Sequence, residues 1–284
     1  MKIKYKVKEN DKFNSVNSVL DNQFKISTRL RTKLIKNKLI MKNGNVCDSR
    51  ENVKIGDIIT INLDYEEESE NIVPTQMELE IIFEDEWLLV VNKPAGIPVH
   101  PSILHYEDSL SNGIKYYYNS IGLKKKIRPV NRLDKNTSGL VIFAKCEYIQ
   151  ERLTEQMQEG TFKKQYLALV SGILENKKGT INLPIARKQG SIIERCIDEN
   201  GKTSITHYEV LKEYDDYSLV KCTLETGRTH QIRVHFSAIG HSLLGDELYG
   251  KASKLIDRQA LHCYYLEFIH PVKHNITICK IWGN

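Results

Sequence analysis

Apolar and polar positions along the chain divide it into two differently patterned bodies. In the first, Phe13, Val16, Val19, Leu20 and Phe24 recur near helical spacing. Ser27 then stands as an N-cap ahead of "TRLRTKLIKNK", where Leu30 and Leu34, one turn apart, mark the buried side of a second helix. Two short β runs follow around Asn43-Gly44, a dipeptide favoured in tight hairpins, and "VKIGDIITINL" adds a turn and a strand. This pattern predicts a small α+β module over residues 1–63.

Residues 64–78 follow neither period and contain Pro74, so they read as a linker. From 79 to 284 the pattern becomes strand-rich. "LEIIFEDEWLLVVNKP" predicts two strands around a turn at Glu84-Asp85-Glu86. Leu110, Ile114, Tyr117 and Ile121 predict a helix stopped by Gly122, and Ile149, Leu153 and Met157 another stopped by Gly160. "KKQYLALVSG", "KTSITHYEVLKEY", "YSLVKCTLE" and "NITICKIW" have the β-branched and aromatic content of strands. They connect without regular βαβ alternation, which predicts an α+β class with a mainly antiparallel central sheet and flanking helices. No internal repeat or low-complexity segment interrupts the chain.

Charge sharpens the division. Residues 1–63 carry fourteen Lys and Arg against six acids, residues 64–86 ten acids and no Lys or Arg, and the remainder 27 cations against 20 acids. Two basic bodies joined by an acidic stretch suit modules that both meet a polyanion, although solubilising charge would give the same balance. No apolar run approaches the ~20 residues of a membrane span, and "MKIKYKVKEN" lacks the apolar core of a secretory signal. A cytoplasmic protein is expected. The six cysteines are scattered without a CxxC pair, so reduced thiols are expected and a zinc site is not.

The candidate chemistry starts at "NRLDKNTSGLVIFAK" (131–145), where Asp134 lies between Arg132 and Lys135 before an apolar strand. A carboxylate at a strand mouth faces a cleft more often than a core, and Gly139 permits close approach of the backbone. Cations nearby favour the charged form in which a carboxylate attacks a sugar carbon or steadies its oxocarbenium form. A salt bridge with Thr137 and Ser138 as turn residues explains the same spacing, so both readings stand here.

In "LETGRTHQIRVHFSAIG" (224–240) a strand ends near Glu225, Gly227 turns the chain, and a helix runs from Thr229 to a stop at Gly240. Ile232, Phe236 and Ile239 form its buried stripe, while His230, Arg233 and Ser237 share another face. Arg233 could pair bidentately with Asp134 or with a phosphate. His230 and His235 lie five apart with no acidic third ligand, so they read as structural histidines rather than metal ligands. Tyr166 follows Lys163 and Lys164 at the start of a strand, where it either stacks on a base or fills a half-buried strand position.

Taken together, "LLVVNKPAGIPVHPS" (88–102), "NRLDKNTSGLVIFAK", "KKQYLALVSG" and "LETGRTHQIRVHFSAIGHSLLGD" (224–246) resemble, in order and spacing, the large-ribosomal-subunit type of RNA pseudouridine synthases. The likeness spans roughly residues 80–284. The two short helices, the basic second helix and the Asn-Gly hairpin of residues 1–63 resemble the small RNA-binding module of ribosomal-protein S-four type that is often fused to these enzymes.

The resemblance implies an isomerase that converts uridine in RNA to pseudouridine with no cofactor and no metal. It implies Asp134 as the essential carboxylate, Tyr166 stacking under the uracil and a candidate for a later base, Arg233 pairing with the aspartate, and Arg132 helping extrude the target nucleotide. Arg29, Arg31, Lys33 and Lys36 become the expected RNA contacts of the first module. Lys93-Pro94 and Gly245-Asp246 are expected to be structural. The family commonly has His where this chain has Asn131, which cannot carry a proton near neutral pH. The expected partner is RNA, ribosomal rather than transfer RNA, bound by a monomer. The alternatives are a tRNA uridine isomerase of the same family and a non-catalytic RNA-binding factor on the same scaffold. A nucleoside or glycoside hydrolase using Asp134 generally needs a second acid or a metal with a positioned water, and no partner carboxylate accompanies the motifs.

Overall fold

The computed structural model describes residues 1–281. The first sixty or so residues build β1 (Lys2–Lys6), α1 (Val16–Asn22), α2 (Thr28–Lys36), β2 (Ile40–Lys42), β3 (Asn45–Val46) and β4 (Ile58–Asn62). The strands pair antiparallel in the order β1-β4-β2-β3. Ser27 caps α2 by accepting from Leu30 N–H at 3.2 Å. Asn43 (φ 52) and Gly44 (φ 89) take the left-handed conformations that the tight β2–β3 turn requires. Leu30 and Leu34 are fully buried against this sheet's core. The strand β1 escapes the sequence reading because "KIKYK" alternates lysine with only two apolar side chains.

Residues 64–78 form no helix or strand, yet they do not hang free. Glu67 N–H donates to Lys124 O (3.0 Å), Ile127 N–H to Ser69 Oγ (3.0 Å), and Asn112 Nδ2 to Val73 O (2.8 Å). The acidic pattern that suggests a linker places one of its carboxylates in the interior instead. Glu67, with a side chain only 5% exposed, receives Lys33 Nζ from α2 and Arg128 Nη2 from the second body, each at 2.7 Å. Burial would raise this carboxyl, but the Arg128 and Lys33 hydrogen bonds outweigh it and hold the group below its ordinary value. Glu67→Ala would leave the buried Arg128 uncompensated, and is expected to cost about 3 kcal/mol in thermal or urea unfolding. A change below about 0.5 kcal/mol would mean that the segment is a tether and not a fastening.

The second body holds β5 (Glu80–Glu84), β6 (Leu88–Lys93), α3 (Leu110–Ser120), β7 (Ser138–Ala144), α4 (Glu147–Gln158), β8 (Lys163–Ser171), β9 (Lys178–Asn182), β10 (Ile185–Arg187), β11 (Arg195–Ile197), β12 (Ile205–Glu213), β13 (Tyr217–Leu224), α5 (Gln231–Ala238), β14 (Leu261–Ile269) and β15 (Ile276–Lys280). Nine of these strands form one sheet in the order β5-β6-β7-β14-β8-β13-β12-β9, with β15 on β14, while β10 and β11 make a separate hairpin. Only β7 and β14 pair in parallel; the other pairs in the sheet are antiparallel. The α+β class with a mainly antiparallel sheet is therefore the one observed. Asp85 supplies the β5–β6 turn by accepting from Trp87 N–H (2.8 Å) and Leu88 N–H (3.0 Å).

Four sequence expectations need correcting. Ile121 and Ile239 are 50% and 36% exposed, because each is the C-cap of its helix, where the chain has already left the buried stripe. Tyr118, not Tyr117, completes the buried Leu110–Ile114 row of α3 and is fully buried. The last helix starts at Gln231, two residues later than expected, because His230 is its left-handed N-cap (φ 59). The strands β9, β10, β11 and β14 were not anticipated. Trp282, at the end of the final predicted strand, lies outside the described residues.

Candidate active site

The segment carrying Asp134 is fastened before β7 begins. Thr137 N–H closes a turn on Asp134 O at 3.0 Å. Asn131, 5% exposed, accepts from Ile142 N–H (2.9 Å) and donates to Leu140 O (3.0 Å), so its amide pairs with β7 as an extra strand residue would. That bond pair fixes the backbone from which Arg132 projects. Gly139 (φ 118) lies so close to Cys263 of β14 that a Cβ would collide with the Cys263 backbone. The close approach that this glycine permits is thus to a neighbouring strand.

Lys93, at the end of β6, is fully buried and donates to Pro94 O (2.8 Å), Ile97 O (2.8 Å) and Lys135 O (2.9 Å). It ties the loop after β6 to the residue next to Asp134. Burial pushes its ammonium down to about 7, opposed by the nearby Asp134 charge.

Helix α5 brings the basic side of the site. Gln231, 3% exposed, anchors its entry: Oε1 accepts from Arg228 N–H at 3.0 Å and Nε2 donates to Ile205 O at 3.0 Å. Arg233 Nη1 then reaches to 3.4 Å from Asp134 Oδ2. Its Nε and Nη2 both pair at 2.7 Å with Asp246, which is 1% exposed. The bidentate partner of Arg233 is therefore Asp246, and Asp134 meets only the remaining edge of the guanidinium. His230 also departs from a purely structural role. Its Nε2 stands 3.9 Å from Asp134 Oδ2 while Nδ1 and the Tyr249 hydroxyl lie 2.7 Å apart. His235 does behave as a structural histidine, fully buried between Thr206 Oγ1 (2.9 Å) and Leu183 O (3.0 Å).

Both cationic or polar neighbours of Asp134 address Oδ2. Its Oδ1 accepts no hydrogen bond among the described residues. The carboxylate opens onto a cavity of about 540 Å³ whose wall also holds Tyr166, Arg233, His230 and Arg132. Met157, Leu224 and Leu261 make its apolar side. Among the described residues Asp134 is the one carboxylate on that wall, against four Lys and Arg side chains. Tyr166, on β8, is 7% exposed, and burial pushes its phenol well above the ordinary value, with Cys263 and Asp134 adding to the rise.

The four cations expected on α2 do not line this cavity. Arg31 pairs with Asp21 at 2.6 Å, and Lys33 is held by Glu67. Arg29 is 90% exposed at 3.6 Å from Glu147, and Lys36 is exposed with no partner among the described residues. Sequence reasoning passed over His230 as a site residue and the role of Asp246 in holding Arg233. No helix among the described residues is long and apolar enough to cross a membrane.

Comparison with known proteins agrees with this geometry. Residues 87–238 match the sequence profile of the family described as RNA pseudouridylate synthase. An uncharacterised RNA pseudouridine synthase of Bacillus subtilis, YhcT, is 43% identical over 230 residues, 80% of this chain and 76% of its own. The ribosomal large subunit pseudouridine synthase D of Escherichia coli O6:H1 is 34% identical over 94% of this chain and 86% of its own. Among solved structures, human RNA pseudouridylate synthase domain containing 1 superposes with a TM-score of 0.61 at 29% identity, covering 72% of this chain and 84% of that one. On this fold, with a carboxylate and an arginine meeting in a basic cavity, the chain belongs to the RNA pseudouridine synthase family of isomerases.

Proposed function

We propose that this protein isomerises uridines of large-subunit ribosomal RNA to pseudouridine, with Asp134 as the essential carboxylate. The observation that carries the reading is the Oδ1 of Asp134, without a hydrogen bond, on a cavity wall that has no second carboxylate among the described residues. Arg233 and His230 both face the other oxygen, at 3.4 and 3.9 Å, so Oδ1 is the atom presented to the bound nucleotide. It can attack the anomeric carbon or remove the 2′ proton. By either route the bond from that carbon to N1 breaks, and uracil leaves with the electron pair. The uracil turns and C5 bonds to the anomeric carbon, which displaces the carboxylate in the first route and is matched by return of the proton from the carboxyl to C2′ in the second; C5 then gives up its hydrogen and N1 gains a proton.

A base inside a stack cannot undergo this chemistry, so the nucleotide must be extruded at a cost of a few kcal/mol. The exposed Arg132, on a backbone secured by Asn131, fills the vacated space. Tyr166 supplies a stacking surface. Burial raises its phenol, which disfavours it as the base that takes the C5 hydrogen. Tyr166→Phe is therefore expected to lose less than about tenfold in single-turnover rate, where removing a general base costs about 10²–10⁴-fold. A loss in that larger range would restore the tyrosine to proton transfer.

The ribosomal assignment rests on the E. coli relative, which is named for the large subunit. The basic helix α2 adds a second surface, with Arg29 and Lys36 turned to solvent and available to phosphates. Six free cysteines accord with a reducing compartment, which favours the cytoplasm. The test is tritium release from RNA labelled at C5 of uridine, run on ribosomal RNA transcripts, on ribosomal subunits and on tRNA. Release from either ribosomal substrate is expected. Release from tRNA alone would move the target, and no release from any of them would overturn the activity.

A further inference from the structure

Lysines buried in the second body are engaged wherever they occur outside the cavity. Lys93 has three carbonyl acceptors, Lys125 has Tyr65 O at 2.7 Å and Asp64 at 3.1 Å, and Lys145 has Glu84 at 2.7 Å and Asp85 O at 2.5 Å. Lys164 differs. It is half-buried on the cavity wall, and its ammonium meets no carboxylate or carbonyl among the described residues. Its neighbour Lys163 points to the other face of β8 and pairs with Glu267 at 2.6 Å.

Strand alternation puts Lys164 in the same inward row as Tyr166. Its Nζ lies 3.3 Å from where a Cβ on Gly227 would sit, packed against the turn that leads into α5. Burial lowers its pKa, and no carboxylate draws it back. A half-desolvated ammonium without a counter-charge costs the free protein stability, and the cost is recovered when an anionic group enters the cavity.

We propose that Lys164 is the counter-cation for negative charge on the extruded nucleotide, resting on the isomerase reading above. Two oxygens of the same ligand meet that description: a backbone phosphate, charged from the start, and a uracil carbonyl, which gains charge as N1 departs. The site can take either, and affinity and rate tell them apart.

The experiment compares wild type, Lys164→Met and Lys164→Arg in RNA affinity over a salt series, in single-turnover tritium release and in thermal unfolding. Lys164→Met is expected to lose at least about a hundredfold in single-turnover rate divided by dissociation constant, and Lys164→Arg to keep part of it. Its melting temperature should equal or exceed wild type, because no partner is stranded. Weaker binding with a salt slope reduced by about one phosphate's share assigns the phosphate. Unchanged affinity with a slower chemical step assigns the uracil oxygen. Rate and affinity both within about threefold of wild type, or a lower melting temperature that accounts for the loss, would overturn the proposal. Should wild type itself release no tritium, the isomerase reading falls, and the affinity and salt series still decide whether Lys164 meets an RNA anion.

Discussion

Asp134→Asn is expected to reduce tritium release from labelled RNA by more than about a thousandfold, a rise of about 4 kcal/mol in the barrier. The substitution keeps shape and size, but an amide can neither attack a sugar carbon nor take a proton from it. Nothing else in the site should move. Arg233 remains pinned by Asp246, His230 remains tied to Tyr249, and the contacts to Asp134 itself are long, at 3.4 and 3.9 Å. The side chain is 26% exposed, so little packing depends on its charge. Melting temperature and RNA affinity should therefore match wild type. A variant retaining a tenth of the activity would remove Asp134 from the chemistry, and a variant that fails to bind RNA would make it a recognition group.

The second large effect is expected at Arg233, where stability and catalysis separate. Arg233→Met strands the carboxylate of Asp246, which is 1% exposed, and breaking one side of such a pair costs about 3–5 kcal/mol. The same change removes the cation facing Asp134 Oδ2, with an expected loss of about 10²–10³ in rate. Adding Asp246→Asn should recover most of the stability, since the amide oxygen can still accept from the backbone N–H groups of Leu248 and Tyr249 at 3.2 and 3.3 Å. Activity should not return with it. If the double variant is both stable and active, Arg233 serves the scaffold alone. If neither variant loses stability, the pairing with Asp246 is not the fastening that its geometry implies.

How much of this was legible beforehand depends on the range of each interaction. Ser27 as a cap, Asn43-Gly44 as a turn, and the stops at Gly122, Gly160 and Gly240 are set by neighbours within a few residues, and the structure has them where the sequence puts them. The strand β14 was missed although it is the sheet's crossing point, bonded to β7, β8 and β15. Its run "LHCYYLEFI" alternates only in two short pieces, because the register shifts between Cys263 and Tyr265 where the strand pairs with β8. In the site, Asp134, Tyr166 and Arg233 were named from motif resemblance, and the fold brings them to one cavity. Asp246 was read as structural, and no spacing in the chain could show that it, and not Asp134, takes both prongs of Arg233.

The sequence by itself determined most of the local elements, the family, and the candidate residues for the chemistry, because periodicity, capping and motif order are all written in adjacent residues. Tertiary structure alone decided which charges are satisfied. It put Lys33 and Glu67 into one ion cluster, left Lys164 without a carboxylate among the described residues, and turned both His230 and Arg233 toward the same oxygen of Asp134. Those outcomes depend on distances between side chains as much as a hundred residues apart in the chain. Coulomb and hydrogen-bond energies change steeply over a few ångströms, so composition and spacing cannot supply them.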